Sequence, residues 1–139
     1  MDVRRLGPGD ESVAEEAYRR FGPQDHIDAH FLHRPEVRLY VAEEEGAVLG
    51  WLYGYELTHP DGARSMLIYA LGVAEEARGK GVAVGLADAC VSTARADGYV
   101  EAWVLTPESN PAGAATYRKA GGEADPDRQV VFKWEFPRD

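Results

Sequence analysis

A short glycine-rich and basic segment, residues 78–83, is the stretch of this sequence best suited to binding an anion. It reads Arg-Gly-Lys-Gly-Val-Ala and lies at the predicted start of a helix. The first backbone N–H groups of a helix have no partner within it, and with the helix dipole they attract anions. Gly79 and Gly81 let a phosphate approach the backbone closely, and Arg78 and Lys80 add positive charge. The alternative is a solvated turn with ordinary flexible glycines, which a short glycine-rich motif alone does not exclude.

The segments on either side of this loop must hold it in place. Met66 to Val73 is almost entirely apolar, which at this length predicts a strand buried on both faces. Downstream, helical spacing predicts one apolar helix side that carries Val82, Leu86, Ala89, Cys90 and Thr93. Cys90 is the only cysteine, so the chain can form no internal disulfide, and we expect a buried, inert thiol.

Length and charge restrict the classes of protein that this sequence can encode. The 139 residues suffice for one domain and are too few for two, so residues 1–139 are predicted to form a single domain. The net charge of -9 argues against binding to nucleic acid or anionic membranes and is compatible with a cationic amine substrate. No secretion signal or apolar run of membrane-spanning length is apparent, so we expect a cytoplasmic protein with no membrane partner.

Hydrophobic periodicity and turn residues predict the remaining elements. Helical spacing indicates an N-terminal helix after Asp10 and a second helix from about Asp25 to His33. Asn110 and Pro111 suit the cap and the first position of a later helix. The predicted strands are residues 2–6, 37–43, 47–57, 66–73, 100–105 and 130–136.

Three aromatic residues, Trp51, Tyr53 and Tyr55, lie on one side of a predicted hairpin strand. They alternate with glycine and leucine, so one side of the strand is aromatic and the other is made of smaller residues. Ordinary packing within a sheet explains each aromatic residue individually, and we predict that role for them.

Three histidines, His26, His30 and His33, lie three or four residues apart, as metal ligands on a helix can. No fourth ligand is apparent nearby, so we expect no metal. We interpret them as surface residues near the mouth of a substrate site.

One motif and the order of the elements resemble a known family. The pattern Arg78-x-x-Gly81-x-Ala83 after an apolar strand resembles the acetyl-CoA loop of the GNAT superfamily of N-acetyltransferases, which is Gln/Arg-x-x-Gly-x-Gly/Ala. The resemblance covers nearly the whole chain. It implies an α/β (α+β) fold with a mixed central sheet of about six or seven strands flanked by about four helices. It also implies acetyl-CoA as the co-substrate, without a metal.

The resemblance assigns roles to particular residues. Asn110 falls where the family has an asparagine that contacts the pantetheine arm, and Tyr117 where it has a tyrosine near the thioester sulfur. The two residues are nearly two helical turns apart, so they lie on the same side of the predicted helix. The implied acetyl-CoA contacts are Leu71, Gly72, Val73, Arg78, Gly79, Lys80, Gly81, Val82, Ala83, Asn110 and Tyr117.

A closer resemblance is to the aminoglycoside 3-N-acetyltransferase type I branch, carried by Phe21-Gly22-Pro23, Ile68–Val73 and Ala115–Lys119. That branch has an aspartate directly after the tyrosine of its Tyr-Asp-Leu motif, where this chain has Ala70. It also usually has a bulky apolar residue where this chain has Gly122. The missing carboxylate weakens the prediction of an aminoglycoside acceptor more than the prediction of acetyl transfer to a small-molecule amine.

The implied reaction is attack of an amine on a thioester. Backbone N–H groups from Leu71 to Val73 would polarise the carbonyl, because the family separates this strand from its neighbour there. Tyr117, a phenol of pKa about 10, would assist a thiolate whose conjugate acid has a pKa of about 8.5. Glu56 and Tyr69 are the candidate bases, directly or through water, and loss of the amine proton to solvent is the alternative.

Two other functions stay open at this point. A non-catalytic acyl-CoA-binding or sensing module would keep the loop and lack a productive acceptor site, which Ala70 favours and Tyr117 opposes. A protein or peptide N-acetyltransferase is the other alternative, because no acceptor motif is recognisable. The chain could be a monomer or a homodimer, since a pair of terminal strands often forms a dimer edge in this family.

Overall fold

Five strands and three α-helices form the fold of residues 1–138, which a computed structural model describes. The strands are β1 (Asp2–Arg5), β2 (Val37–Glu44), β3 (Ala47–Thr58), β4 (Arg64–Val73) and β5 (Glu101–Val104). The helices are α1 (Glu11–Phe21), α2 (Val82–Ala96) and α3 (Pro111–Lys119), with 3-10 turns at Phe31–His33 and Glu75–Ala77. Within residues 1–138, no helix is long and apolar enough to cross a membrane.

The sheet is mixed, as predicted. Strands β1 to β4 pair antiparallel in chain order, and β5 pairs parallel with β4. Glu45 and Gly46 join β2 to β3 with φ angles of 50° and 80°, both in the left-handed region. Two-residue turns of this kind match the twist of the flanking strands, which explains why the predicted hairpin forms here. The connection from β4 to β5 passes through α2, as a parallel pair requires.

Two apolar clusters cover the two faces of the sheet. The cluster beneath α2 includes Leu52, Met66, Ile68, Leu86 and Cys90. The cluster beneath α1 includes Ala14, Ala17, Leu39, Val41 and Trp51. Strand side chains alternate between the faces, so the same strands supply both clusters. Burial raises the pKa of the Cys90 thiol to about 12, so this thiol is protonated and unreactive at neutral pH.

The predicted terminal strand, residues 130–136, is not a strand in the structure. Its alternation of apolar and polar residues is typical of a strand, but a strand also needs a neighbour to satisfy its backbone. Within the described residues, no strand pairs with any residue after 104. Within residues 1–138 the sheet therefore has five strands rather than the predicted six or seven.

The second predicted helix, from Asp25 to His33, is also wrong. Only Phe31–His33 is helical, and it is a 3-10 turn. The Asp28 carboxylate accepts a hydrogen bond from the His30 backbone N–H at 2.9 Å. Local side-chain bonds of this kind compete with helix formation. For this reason the described chain has three α-helices rather than about four.

Candidate active site

Strands β4 and β5 separate in the middle of β4. The four residues of β5 pair with Ser65–Ile68 and reach no further along β4. Beyond Ile68, β4 still pairs with β3 but, within residues 1–138, has no strand on its other side. The predicted acetyl-CoA contacts Leu71, Gly72 and Val73 therefore lie on backbone that is open on the β5 side.

A β-bulge interrupts the pairing of β3 with β4 at Tyr69. Tyr53 pairs with Ala70 and the next residue of β3 pairs with Ile68, so Tyr69 is the extra residue. Ile68 and Leu71 both pack in the cluster beneath α2. Tyr69 and Ala70, which lie between them, are therefore both on the α1 side of the sheet. In a regular strand, two consecutive residues would lie on opposite sides. Tyr69 is 65% exposed, so the prediction that this strand is buried on both faces is wrong here.

The bulge brings Tyr69 into an aromatic face, which we define as Phe31, Tyr53, Tyr55 and Tyr69. The Tyr69 ring stacks on the Tyr53 ring with centroids 5.6 Å apart and meets the Tyr55 ring edge-on at 6.0 Å. Phe31 meets Tyr53 edge-on at 5.8 Å. Burial raises the pKa of Tyr53 to about 12, so its ring stays neutral at physiological pH. Such a surface can stack on an apolar group or hold a cation over a ring.

We predicted that the three aromatic residues of β3 have an ordinary packing role. The structure shows that role for only some of them. Trp51 is 3% exposed and packs in the cluster beneath α1. Tyr53 lies at the border of that cluster, and both Tyr53 and Tyr55 contact the exposed ring of Tyr69. Phe31 was missed from the sequence because the turn that carries it reaches β3 only in the folded chain.

Small residues on β3 and β4 let the start of α2 approach the sheet. A Cβ atom on Gly50 would lie 2.9 Å from the Gly72 carbonyl oxygen and 3.0 Å from Val82 Cγ1. A Cβ atom on Gly72 would lie 3.3 Å from the Phe21 ring on the other face. Any larger side chain at these glycines would push α2 or α1 away from the sheet. The glycines thus hold the first turn of α2 beside the open part of β4.

The loop before α2 has the geometry of an anion site. Gly79 and Gly81 have φ angles of 78° and 81°, and no heavy atom lies within 4 Å of a Cβ built on either. No side chain caps the N-terminus of α2, and its first turn carries no acidic residue. Val82 is buried and anchors the helix start, while Ala83 follows it in the first turn. The free N–H groups of this turn and the space beside the glycines suit a phosphate or pyrophosphate.

The two basic side chains of the loop are available to bind an anion. Arg78 and Lys80 are exposed, and within residues 1–138 neither forms an ion pair. The nearby carboxylate of Glu76 is bound by Arg20 of α1 at 2.6 Å, which lowers the pKa of Glu76. Arg20 also donates to the Val48 carbonyl oxygen at 2.6 Å, so α1 itself fixes this arrangement.

Asn110 caps the start of α3 and Tyr117 lies on α3, which packs against α2. The Asn110 side-chain oxygen accepts from the Gly113 backbone N–H at 3.1 Å, so Asn110 caps the helix as predicted. Its oxygen is thus committed, and its side-chain nitrogen donates to the Thr106 hydroxyl at 3.5 Å, which leaves one N–H that can donate to a ligand. Tyr117 is half-buried, and burial raises the pKa of its phenol. The phenol therefore stays protonated at neutral pH and can donate a proton or a hydrogen bond.

Glu56 lies apart from the other candidate residues, in an ion-pair network. Its carboxylate accepts from the Tyr99 hydroxyl at 2.8 Å and from Arg64 at 3.2 Å, and Arg38 lies 3.6 Å away. These groups, the Tyr99 hydroxyl first, lower the pKa of Glu56, which weakens it as a base. Glu56 pairs in register with Met66, on the N-terminal side of the bulge. This placement favours a structural role, and catalysis by Glu56 stays a prediction.

Sequence reasoning missed Arg38 and Tyr99, the other members of this network. The side chain of Arg38 is 13% exposed although its neighbours from Val37 to Ala42 in β2 are apolar. An arginine within such a strand is the one signal that could have indicated a buried carboxylate partner.

A Glu56→Gln variant separates the structural role from the catalytic one. We expect turnover to change less than about threefold, whereas loss of a catalytic base would cost roughly a hundredfold or more. Stability at pH 7 should fall by about 1–3 kcal/mol, because charged hydrogen bonds are weakened. The lowered pKa means that this contribution is present above pH about 4.5 and disappears as the pH falls through the folded-state value. Denaturant unfolding of both proteins at pH 7 and pH 3.5 measures this difference.

The matched control for this test is Glu123→Gln, since Glu123 is an exposed carboxylate after α3. Its stability should stay within about 0.5 kcal/mol of the wild-type value. A large loss of turnover in Glu56→Gln with unchanged stability would restore Glu56 as the base.

Two of the three histidines contact separate glutamates of α1 and do not meet around one point. His26 contacts Glu15 at 3.0 Å, and His33 contacts Glu11 at 3.2 Å. Among the described residues, no group of three or more His, Cys, Asp or Glu side chains could hold a metal. His30 immediately precedes Phe31 of the aromatic face, so this turn borders the surface where an acceptor could bind.

Comparison with known proteins agrees with this geometry. The model of the "Acetyltransferase (GNAT) family" matches residues 9–122, which is most of the chain. No protein with a curated description matches the sequence significantly.

Solved structures show how similar the fold is. An aminoglycoside acetyltransferase, meta-AAC0020 from an uncultured soil metagenomic sample, in complex with sisomicin, has a TM-score of 0.88 at 18% identity, covering 98% of this chain and 96% of its own. A ribosomal-protein-alanine N-acetyltransferase from Brucella melitensis biovar Abortus 2308 has a TM-score of 0.76 at 21% identity, covering 95% of this chain and 98% of its own. AAC(6')-Iy in complex with the bisubstrate analog CoA-S-monomethyl-acetylneamine has a TM-score of 0.77 at 17% identity, covering 96% and 97%. At these identities the structures establish the fold alone, and the family match over residues 9–122 places this chain in the GNAT acetyltransferase family.

Proposed function

We propose that this protein is an acetyl-CoA-dependent N-acetyltransferase that acts on a primary amine of a small molecule. The observation that carries the proposal is the uncapped N-terminus of α2, with Gly79 and Gly81 in left-handed conformations, beside the open part of β4. An anion site and a row of free backbone N–H groups next to it are what a phosphate-bearing thioester requires.

In this proposal the protein holds acetyl-CoA at two places. The pyrophosphate binds the first turn of α2 and the glycine loop, with Arg78 and Lys80 adding charge. The pantetheine arm follows the gap between β4 and β5, where Leu71 to Val73 are open. Asn110 donates to the arm through the amide N–H that neither the helix cap nor the contact with Thr106 uses. In the complex of AAC(6')-Iy, a CoA-containing analog is bound to a protein of the same fold.

The chemical step needs three contributions from the chain. The amine nitrogen forms a bond to the carbonyl carbon while the carbon–sulfur bond breaks, so the amine loses a proton and the departing thiolate gains one. Backbone N–H groups near Leu71 to Val73 stabilise negative charge on the carbonyl oxygen. The Tyr117 phenol donates to the thiolate, which its protonated state at neutral pH supports.

The proton from the amine leaves on the exposed side of the aromatic face. Tyr69 is the candidate base that lies at the bulge, and its exposure puts its hydroxyl within reach of water. We propose that water removes the proton, with Tyr69 orienting it or the amine. Glu56 is not needed for this step.

The acceptor in this proposal is a cationic amine that packs an apolar part on the aromatic face. The face offers ring surfaces, and the net charge of -9 attracts cations. Sisomicin is bound to one protein of the same fold, which supports an amine acceptor. Ala70 lies on the same side as Tyr69, so the carboxylate of the aminoglycoside branch is missing from the surface that would meet the acceptor.

A thiol-release screen with acetyl-CoA over arylalkylamines, polyamines, aminoglycosides, amino acids and peptides tests this function. We expect at least one non-aminoglycoside amine to be acetylated, with typical aminoglycosides at least about tenfold poorer in kcat/KM. The kcat/KM of the best cationic amine should fall as ionic strength rises from about 30 to about 300 mM, because salt screens long-range attraction. Efficient acetylation of aminoglycosides at the 3-amino group would overturn the argument that alanine at position 70 disfavours these acceptors.

A second candidate function is acetylation of a protein or peptide. It is favoured by the similarity of fold to a ribosomal-protein-alanine N-acetyltransferase. Turnover confined to the peptides in the screen would support it. Tight acetyl-CoA binding with no thiol release for any amine would instead support a non-catalytic binding module.

A further inference from the structure

The guanidinium of Arg20 joins three parts of the fold just ahead of the loop before α2. Arg20 follows Ala14 and Ala17 at a spacing of three residues, so it lies on the side of α1 that packs on the sheet. Its Nη1 donates to the Val48 carbonyl oxygen at 2.6 Å, and its Nη2 donates to the Glu76 carboxylate at 2.6 Å. A planar, forked guanidinium can bind two acceptors at once, which distinguishes arginine from lysine at such a junction.

A β-bulge in β3 supplies one of these acceptors. The pairing of β2 with β3 shifts register at Leu49, which is left as an extra residue. The carbonyl oxygen of the preceding residue, Val48, accepts from Arg20. The Leu49 carbonyl oxygen accepts from the Ala74 backbone N–H at 2.8 Å, and Ala74 precedes the 3-10 turn Glu75–Ala77. The bulge and Arg20 together therefore fix the segment that leads into the loop before α2.

Glu76 is an acidic side chain at a position where it could interfere with a bound anion. It precedes Arg78 by two residues and Lys80 by four. The hydrogen bond from Arg20 lowers the pKa of Glu76, and the charge of Lys80 also lowers it, so this carboxylate lies within electrostatic reach of the loop. Without Arg20, the carboxylate would offset part of the positive charge of the loop and would repel a phosphate bound there.

The exposure of the ion pair indicates where its effect should be seen. The Glu76 side chain is 65% exposed and that of Arg20 is 34% exposed. Exposed ion pairs contribute little to the stability of the fold, because water already solvates both charges. We therefore expect the pair to matter more for the charge of the loop than for folding.

We propose that Arg20 is a positioning residue for cofactor binding, which holds the Glu76 carboxylate away from the phosphate site. The inference rests on the proposed function, since it concerns the pyrophosphate of acetyl-CoA at the loop before α2. Arg20 and Glu76 neutralise each other, so Arg78 and Lys80 set the charge that the pyrophosphate meets. When Arg20 is lost, Glu76 offsets one of these two positive charges.

This role predicts a defect in binding the cofactor and not in the chemical step. None of the hydrogen bonds of Arg20 within residues 1–138 reaches α3 or β4, which carry the proposed catalytic groups. Loss of Arg20 should therefore raise the KM for acetyl-CoA and leave kcat at saturating cofactor nearly unchanged. S-acetylpantetheine carries the thioester without phosphates, so its kcat/KM should be insensitive to the same change. A general loss of folding would lower turnover of both thioesters.

Isothermal titration calorimetry on three variants tests this role. Arg20→Met should raise the Kd for acetyl-CoA roughly five- to twentyfold at about 30 mM ionic strength, because an unpaired carboxylate then faces the phosphates. Adding Glu76→Gln to Arg20→Met should restore the Kd to within about threefold of the wild-type value, because no carboxylate remains to be held away. The difference between Arg20→Met and the wild type should shrink at about 300 mM ionic strength, because salt screens exposed charges.

The matched control is Glu75→Gln, added to Arg20→Met in the same way. Glu75 is the exposed neighbour of Glu76, and Arg20 binds Glu76 rather than Glu75. This control removes the same charge from the same turn, so it separates the named carboxylate from the net charge of the protein. Restoration by Glu76→Gln and clearly less by Glu75→Gln is the expected result. Equal restoration by both, or none by Glu76→Gln, would overturn the proposal.

Glu76→Gln alone tests the role without altering the bond between Arg20 and Val48, so folding is not at issue. Its Kd for acetyl-CoA should equal the wild-type value or be up to about threefold lower, because a nearby negative charge is removed. Weaker binding by this variant would overturn the proposal, since it would mean that the carboxylate itself supports the loop.

The wild-type titration distinguishes failure of this inference from failure of the proposed function. Wild-type binding that Arg20→Met leaves unchanged would overturn the role of Arg20 alone. A wild-type protein that does not bind acetyl-CoA would overturn the proposed function and this inference with it.

Discussion

Replacing Gly81 with valine should raise the Kd for acetyl-CoA roughly ten- to a hundredfold. Gly81 has a φ angle of 81°, and a β-branched residue is strongly disfavoured there. A strain of about 1–2 kcal/mol, or a shift of the loop to relieve it, would displace the first N–H groups of α2 from the pyrophosphate. The valine side chain would also occupy the space beside the loop, which is open in the wild type. Isothermal titration calorimetry with acetyl-CoA measures this change.

The matched control is Gly98→Val at the other end of α2. Gly98 has a φ angle of 83° and the same open surroundings, so valine there causes similar backbone strain away from the loop. Both variants should lose similar stability, and only Gly81→Val should lose affinity. Wild-type affinity in Gly81→Val would remove this loop from the cofactor site, and equal losses of affinity in both would indicate a general effect of instability.

Replacing Tyr117 with phenylalanine should lower turnover by roughly ten- to a thousandfold and leave acetyl-CoA binding nearly unchanged. Phenylalanine keeps the half-buried ring and removes the hydroxyl, so the fold should be retained. The loss is expected because the thiolate would depart without a positioned donor. Burial raises the pKa of Tyr117 above its ordinary value, so the phenol stays a donor at neutral and mildly alkaline pH. The measurement is turnover with an amine found in the screen, beside a binding isotherm for acetyl-CoA.

Tyr18→Phe is the matched control for this experiment. Tyr18 lies on α1 and packs edge-on against Trp51 at 5.9 Å, so the same chemical change is made in a packing residue. Its turnover should be close to that of the wild type. An unimpaired Tyr117→Phe enzyme would mean that solvent or backbone groups assist the departing thiolate.

The parts of the structure that sequence reasoning predicted are those that local chemistry determines. The hairpin of β2 and β3 depends on a two-residue turn, and the cap of α3 depends on Asn110 and the residues directly after it. The loop before α2 combines glycines, basic residues and a helix start within six positions. Each of these features is complete within a short stretch of chain, so its pattern can be recognised without knowledge of the fold.

The parts that it missed depend on residues far apart in the chain. The Glu56 carboxylate accepts a hydrogen bond from Tyr99, which is 43 residues away in the chain. This contact lowers the pKa of Glu56 and so weakens it as a base. Residues 130–136 have the alternation of a strand, but pairing requires a neighbour that the alternation does not specify. The predicted helix from Asp25 to His33 does not form, because the Asp28 side chain accepts a hydrogen bond from the His30 backbone N–H and so competes with helical hydrogen bonding.

The bulge in β4 changes which positions a protein engineer should alter to redirect acceptor choice. Counting every second residue from Tyr69 would select Leu71 and Val73 for saturation mutagenesis. Both of these pack beneath α2, so a library built on them would mostly sample loss of folding. The side chains that share the acceptor side are instead Tyr69 and its direct neighbour Ala70, followed by Gly72, where the Phe21 ring restricts size. Ala70 is half-buried opposite Tyr53 and stands where the aminoglycoside branch has its aspartate, so a small library at this single position is the direct way to explore acceptor specificity.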